Sequence, residues 1–322
     1  MAVALQGSEF HRAMSDAVFT HCPYCAFQCG MRLSRSGSKI IVEGDESFPV
    51  NKGALCVKGW TSAAALEHPE RLRQPLARNA RGELVPTTWD DALARIARAF
   101  IDARARYGPN AVGLFGSGAL TNEKAYLLGK FARVALGTAS IDYNGRFCMS
   151  SAAAASIKAF GVDRGLPFPL EEIAHAETIL LVGSNAAETM PPIMQYFQRQ
   201  RENGGRLIVI DPRRTPTAAA ADIHLQLTPG TDAALANGLL HLLVRDGLID
   251  EQYIRERTEG FELVRRTIAS YWPERVERIT GVPVAQLIEA AHLLGRAETA
   301  MVLTARGAEQ QARGVDNALA YI

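Results

Sequence analysis

The sequence predicts an α/β protein: a small N-terminal cysteine-bearing unit with a β-hairpin, then two Rossmann-like α/β regions, one of them incomplete. Three observations predict it. Four of the five cysteines, Cys22, Cys25, Cys29 and Cys56, fall near the start. Short β-rich runs ending in small-residue turns recur along the rest of the chain, at AVGLFGSG, TILLVGSN and RLIVIDP. Helix-period segments separate these runs, and that alternation builds a parallel sheet covered by helices.

The elements follow in order. MRLSRSGSKIIVEGD reads as a hairpin, two alternating strands about a Ser-Gly-Ser turn. RNARGELVPTT reads as a polar link. From Trp89 the period becomes helical: Leu93, Ile96, Ala97, Phe100 and Ile101 share a face, Thr88 can cap the start, and Gly108-Pro109 ends it. Ala111–Gly118 is a short, buried-looking strand before a glycine turn, and a helix spans about 122–136. Thr178–Asn185, Arg206–Pro212 and Asp222–Leu227 are three further β-rich runs. Helices are expected at about 192–202, 232–245, 251–257, 262–271 and 284–294. Thr299–Gly307 opens another strand, expected to return to the first sheet, so that 76–138 and 299–322 make one α/β domain around a second at 139–298.

Composition narrows the function classes. Of 322 residues, 35 are Lys or Arg and 34 Asp or Glu, a net charge of +1, which leaves no broad basic face for nucleic acid. No apolar run is long enough to span a bilayer. The stretch MAVALQGSEFHRAMSD has no twin arginine and no export-length apolar core, so cytoplasmic residence is expected. The chain stops at DNALAYI, inside helical periodicity, and is expected to be part of a longer protein.

The cysteine spacing carries the first chemistry. C-x2-C-x3-C with a distant fourth cysteine suits a cube of iron and sulfide, one thiolate per corner, and hence electron transfer. Zinc on four thiolates is the nearest alternative, although its ligands usually come as two C-x-x-C knuckles and the second is missing. Two disulfides fit poorly in a chain large enough to build its own core. Four unrelated structural cysteines remain the plainest alternative.

The strand ends carry the second. In open α/β sheets ligands bind beyond the carboxyl ends of strands. Gly116-Ser117-Gly118 and Gly183-Ser184-Asn185 sit at two such ends, where small residues let backbone amides approach a phosphate. Asp211 ends a third strand and can accept hydrogen bonds from a base or ribose, with Arg213 or Arg214 able to face phosphate. Gly230-Thr231-Asp232 opens a helix, where Asp232 can equally be a cap. Cys148, ahead of the helix-forming SSAAAA, is either a small buried hydrophobe or a thiolate ligand for a soft metal.

Together the motifs HCPYCAFQCGM, GALCVKG, GSGALTNEKAY, DYNGRFCMSSA, VGSNAAETMPP, IDPRRT, TPGTDAAL and ARGAEQQARGVDN resemble the N-terminal part of the molybdopterin oxidoreductases that carry a bis(guanine dinucleotide) molybdenum cofactor, most nearly the cytoplasmic assimilatory nitrate reductases. The resemblance runs from Thr20 to the end. It implies that Cys22, Cys25, Cys29 and Cys56 ligate a [4Fe–4S] cluster in a domain spanning 1–75, and that Lys58 lies between cluster and pterin. It implies that Cys148 is the thiolate on molybdenum, with Asn144 a nearby cofactor contact. Gly183, Ser184, Asn185 and Glu188 correspond to the loop holding one guanine dinucleotide, Asp211 to the reader of its nucleoside end, and Gly230 and Asp232 to a further contact. Arg306, Gly307 and Gln310 correspond to the loop over the other pterin, and Arg313 to an arginine near the substrate funnel. Ala119 stands where many relatives have glutamine.

The resemblance also bears on the reaction. Formate dehydrogenases of the family usually place histidine after the metal-binding residue, and this chain has Met149. A thioether cannot take a proton, which suits oxygen-atom transfer from nitrate to give nitrite. Electrons would enter at the cluster from ferredoxin, flavodoxin or a nicotinamide-linked reductase subunit. Arg306 or Arg313 would steer the anion. The alternatives are a formate dehydrogenase or other enzyme of the family, and an electron-relay module without active molybdenum.

Overall fold

The computed structural model describes residues 17–163 and 165–322. The stretch read for an export leader lies outside them. Among the described residues no helix is long and apolar enough to cross a membrane. The protein is a mixed α/β chain in two compact units that divide between Phe147 and Cys148.

The first unit opens on a three-stranded antiparallel meander, β1 (Val18–His21), β2 (Gly30–Ser36) and β3 (Lys39–Gly44). The β2–β3 pair is the hairpin expected from the sequence, turning at Gly37 with φ +61°. The segment read as a polar link holds a second hairpin, β4 (Leu76–Arg78) with β5 (Leu84–Pro86). Its turn is tied by Asn79, whose Oδ1 accepts from the amides of Arg81 (2.9 Å) and Glu83 (3.1 Å). The helix Trp89–Tyr107 begins under Thr88, whose hydroxyl accepts from the Asp91 amide at 3.1 Å. Its apolar face is open: Leu93, Ile96 and Ile101 are exposed. The expected strand 111–118 shortens to β6 (Leu114–Gly116) and is not buried; Phe115 is 64 % exposed. β6 pairs in parallel with β7 (Ile141–Tyr143), which the sequence reading missed.

The second unit is built on a four-stranded parallel sheet of order β10-β9-β8-β11: β8 (Thr178–Val182), β9 (Arg206–Ile210), β10 (Ile223–Leu225) and β11 (Ala300–Thr304). β8 is buried along its whole length, the near-continuous apolar run of a strand covered on both faces. Leu180, Val182, Ile208, Ile210, Ile223 and Leu225 alternate onto one face and pack with Leu235, Leu239, Leu242, Leu287 and Ala291 of the helices Asp232–Arg245 and Val284–Arg296. Each fully buried Leu or Ile there contributes about 2 kcal/mol relative to exposure.

The place of β11 corrects the expectation that 299–322 return to the first sheet. β11 lies beside β8, with Ala300 opposite Thr178 and Thr304 opposite Val182. The preceding helix packs on the β8 sheet, so the short crossover delivers the next strand to that sheet's edge. A helix at Pro273–Thr280, also missed, starts after the extended Trp272.

Candidate functional site

The cysteines come first in the chain. Cys22 directly follows β1, Cys25 and Cys29 lie in the loop to β2, and Cys56 caps the short helix Val57–Trp60. The loop folds back on itself: the Cys22 amide donates to the Cys29 carbonyl at 2.8 Å, and the Gln28 amide to Cys25 at 3.1 Å. The fully buried Asn51 joins this loop to the segment bearing Cys56. Its Oδ1 accepts from Gly30 N (2.7 Å), and its Nδ2 donates to the carbonyls of Gly30 (3.0 Å) and Ala54 (2.9 Å).

Close glycine contacts hold the same fold. A Cβ on Gly44 would fall 1.9 Å from the Gly53 carbonyl oxygen, so the two segments meet backbone to backbone.

The four thiols share one electrostatic neighbourhood. Burial pushes the Cys29 thiol up to about 11, and the charges of Cys25, Cys22 and Cys56 add to the rise. Burial also raises Cys22, against the Tyr24 amide, with Cys25 and Cys56 adding and Lys58 opposing. Thiolates packed this way repel one another until a cationic centre takes them as ligands. Among the described residues no three His, Cys, Asp or Glu side chains close into the shell of a single metal ion. A shared zinc, at about 2.3 Å from each sulfur, would draw the sulfurs to about 3.8 Å from one another. A cube with one thiolate per corner holds them further apart, and four thiols are the number of donors it takes. The positive charge of Lys58 reaches Cys22.

Asn144, in the same unit, accepts from the Gly118 amide at 2.7 Å. The turns after the parallel strands β6 and β7 therefore meet at their carboxyl ends, and Ser117 Oγ accepts from the Ala119 amide at 3.1 Å.

In the second unit the carboxyl ends of the strands open onto a cleft of about 950 Å³. Gly183 and Asn185 after β8, Asp211 after β9, Gly230 and Asp232 before the helix, and Gly307 and Arg313 after β11 all line it, together with Arg213. Another cleft, of about 580 Å³, lies at the opposite ends of the strands around Thr178 and Arg206, away from these residues. Gly183 has φ +65°, and a Cβ there would meet Ala308 N at 2.6 Å and Gly307 Cα at 2.8 Å. Gly307 N donates to Gly183 O at 2.9 Å. This backbone-on-backbone contact leaves no room for a side chain and forms one wall of the cleft, which both glycines line. Asp211 and Asp232 are both nearly buried in its wall.

Not every expected residue faces the cleft. Glu188 is exposed and accepts from Asn185 Nδ2 at 2.5 Å, while Asn185 Oδ1 accepts from the buried Thr217 at 2.9 Å. Ser184 is half-buried in the turn between them. Arg306 and Gln310 turn to Cys148 instead. Arg306 Nη1 donates to the Cys148 carbonyl at 3.3 Å and also lies on Met149 Sδ, and Gln310 Nε2 donates to the same carbonyl at 3.1 Å. The segment 306–310 thus presents backbone to the cleft at Gly307 and side chains to Cys148 on either side. Cys148 is half-buried just ahead of the helix Ser150–Phe160. Arg306 Nε is buried with no hydrogen-bond partner among the described residues, a donor suited to a bound anion or cofactor.

The sequence reading missed Asn51, Thr217, Glu309, Gln311 and Asn317. Gln311 donates to Asp232 (2.8 Å) and to the Gly307 carbonyl (2.7 Å), and accepts from Asn317 (3.0 Å). The adjacent glutamines in AEQQ were the available signal: one reaches Cys148 and the other Asp232.

Known proteins resemble the chain over most of its length. Residues 16–68 match the molybdopterin oxidoreductase Fe4S4 domain, and residues 71–321 match the molybdopterin oxidoreductase family. The chain is 42 % identical over 299 residues to the assimilatory nitrate reductase catalytic subunit of Bacillus subtilis, covering 92 % of this chain and 42 % of that protein. It is 37 % identical over 303 residues to the alpha subunit of a formate dehydrogenase 1 of Methanococcus maripaludis, covering 94 % and 44 %. The fold matches the acetylene hydratase of Pelobacter acetylenicus with a TM-score of 0.79 at 23 % identity, over 94 % of this chain and 42 % of that one. The chain therefore spans under half the length of the relatives it matches. The two matched domains imply a [4Fe–4S] cluster and a molybdenum–bis(molybdopterin guanine dinucleotide) cofactor. On its cysteine quartet, its strand-end cleft and these matches, the chain belongs to the molybdopterin oxidoreductase enzymes that carry an Fe4S4 domain.

Proposed function

We propose that this chain is the cluster-bearing, dinucleotide-binding part of a cytoplasmic nitrate reductase, which reduces nitrate to nitrite with two electrons. The observation that carries the reading is the surroundings of Cys148. Its neighbour is Met149, and its carbonyl accepts from Arg306 and Gln310. No proton-accepting side chain follows the thiol, while a guanidinium stands beside it to attract an anion.

When bound, the molybdenum cofactor supplies oxygen-atom transfer and the [4Fe–4S] cluster supplies electrons. The chain's own residues bind and orient. Cys22, Cys25, Cys29 and Cys56 would hold the cluster, and Lys58, two residues past Cys56, would stand on its way to the pterin. Cys148 would ligate molybdenum. Gly183, Ser184 and Asn185 would hold one guanine dinucleotide, with Glu188 bracing Asn185 and Asp211 accepting from its nucleoside. Gly230 and Asp232 would close the cleft's far wall. Gly307 and Gln310 would lie over the other pterin, Asn144 would contact the cofactor from the Gly118 turn, and Arg306 and Arg313 would draw in nitrate. The pair β6–β7 is read as the start of an α/β domain that the remaining length of the protein would complete. A small soluble electron carrier or a reductase subunit would be the donor.

Formate oxidation is the second reading, because formate dehydrogenases are among the matches at similar identity. Purified full-length protein is assayed with nitrate and reduced viologen, and with formate and an oxidised dye. Nitrate turnover is expected; formate turnover without nitrate turnover would reverse the assignment.

A further inference from the structure

Glu309 is a carboxylate with only 2 % of its surface exposed, on the short helix Arg306–Glu309 that follows β11. Its Oε1 accepts from Thr304 Oγ1 at 2.7 Å, and its Oε2 pairs with Arg306 Nη2. A buried carboxylate is costly unless a cation answers it, and water cannot take the place of Arg306 at the buried Glu309.

The guanidinium it holds has its remaining donors directed elsewhere. Nη1 lies on the Cys148 carbonyl and on Met149 Sδ, and Nε is sheltered without a partner among the described residues. Arginine's donors sit in one rigid plane, so fixing one edge aims the others. The backbone reinforces the aim. A Cβ on Gly314 would fall 1.8 Å from the Glu309 carbonyl oxygen and 2.8 Å from Ser151 Oγ, so the Glu309 turn is pressed against the helix that follows Cys148.

We propose that Glu309 is the positioning residue for Arg306: it anchors one edge of the guanidinium so that the other edge stays on Cys148 and Met149 and Nε stays free for the anionic substrate. Glu309 touches neither substrate nor cofactor and acts only through Arg306. The proposal rests on the reading of Cys148 as the molybdenum ligand and of Arg306 as an anion-facing group.

Two measurements test it. In the cofactor-free 322-residue chain, the Arg306 Nε–H signal is assigned by nitrogen-15 NMR from its disappearance in Arg306→Lys. It should be as ordered as the backbone in the wild type and mobile in Glu309→Gln; an ordered Arg306 in Glu309→Gln overturns the proposal. In full-length holoenzyme, Glu309→Gln should raise the KM for nitrate about tenfold with kcat changed less than about twofold. Glu309→Asp should recover part of that loss. In an Arg306→Ala background, Glu309→Gln should add nothing further, whereas additive effects would show an independent role and reject the proposal. An Arg306→Ala enzyme with unaltered KM, beside an inactive Cys148→Ala enzyme, also rejects it while leaving the functional reading intact. If Cys148→Ala keeps its molybdenum and its turnover, the functional reading is what fails, and the NMR result still decides whether Glu309 positions Arg306.

Discussion

Asn51 holds the Gly30 peptide from both sides, accepting from its amide at 2.7 Å and donating to its carbonyl at 3.0 Å. A third bond, to the Ala54 carbonyl, ties the loop of three cysteines to the segment that carries the fourth. Asn51→Ala strands the buried Gly30 amide, worth about 1–3 kcal/mol when left unpaired, and cuts the tie to the Ala54 carbonyl, while the Gly30 carbonyl keeps the Asp45 amide at 3.1 Å. The expected result is a drop of about 2 kcal/mol in unfolding free energy, with loss of iron and of the cluster's visible absorbance. Denaturant titration and iron analysis of the purified protein measure both. A variant with wild-type iron content would show that Cys56 finds the other three without this clamp.

The Gly183–Gly307 contact gives a second prediction. Gly183→Ala puts a methyl 2.6 Å from Ala308 N in a backbone of φ +65°, so overpacking and the left-handed conformation both count against it. Overpacking alone costs about 1–3 kcal/mol. That wall of the cleft should shift and binding of guanosine monophosphate to the cleft should weaken at least tenfold, about 1.4 kcal/mol. Calorimetric titration reads this directly. Gly82→Ala, a turn glycine of the first unit with no atom near its would-be Cβ, is the control that should leave binding unchanged.

Much of the fold was legible where the signal is local. The helix Asp232–Arg245 and the Thr88 cap follow from apolar period and capping chemistry within a few residues. The neighbour of β11 was not legible, because apolar alternation says that Met301–Leu303 is a strand and not which sheet accepts it. The hairpin β4–β5 was hidden by its brevity and its polar turn. In the site, glycines and cysteines announced themselves by spacing. Asn51 and Glu309 did not, since a polar residue reads as surface until the fold buries it.

The thiol quartet predicts an alkaline limit for the cluster-free protein. Cys29 rises from 9.0 to about 11 on folding, chiefly through burial, and Cys22 rises for the same cause. A raised value means that the folded state holds the proton more tightly than the unfolded state. That stability is fully present below about pH 9 and is lost as pH climbs through about 11. Denaturation midpoints of the cluster-free chain should fall across this window, and Cys29→Ser should flatten the fall. Cluster assembly has the opposite dependence, because ligation releases the thiol protons, so iron retention should weaken towards acid. A cluster-free chain with a level midpoint from pH 9 to 11 would contradict the burial of Cys29.

Met149 gives the last prediction. Its sulfur lies under Arg306 Nη1, and its side chain is 40 % exposed beside Cys148. If its part is to present an apolar, proton-inert wall, shape should matter more than sulfur. Met149→Leu, nearly equal in volume, should keep nitrate turnover within about threefold, the scale of a volume-conserving swap. Met149→His tests the same point from the other side. An imidazole there titrates near pH 6.5, adds positive charge beside Arg306 when protonated, and can take a proton when neutral. Nitrate turnover should then acquire a pH dependence near 6.5 that the wild type lacks, with a loss of about tenfold or more on the side where the two cations repel. If instead Met149→Leu loses activity while Met149→His keeps it, the residue beside Cys148 handles charge or protons, and formate oxidation becomes the reaction to assay first.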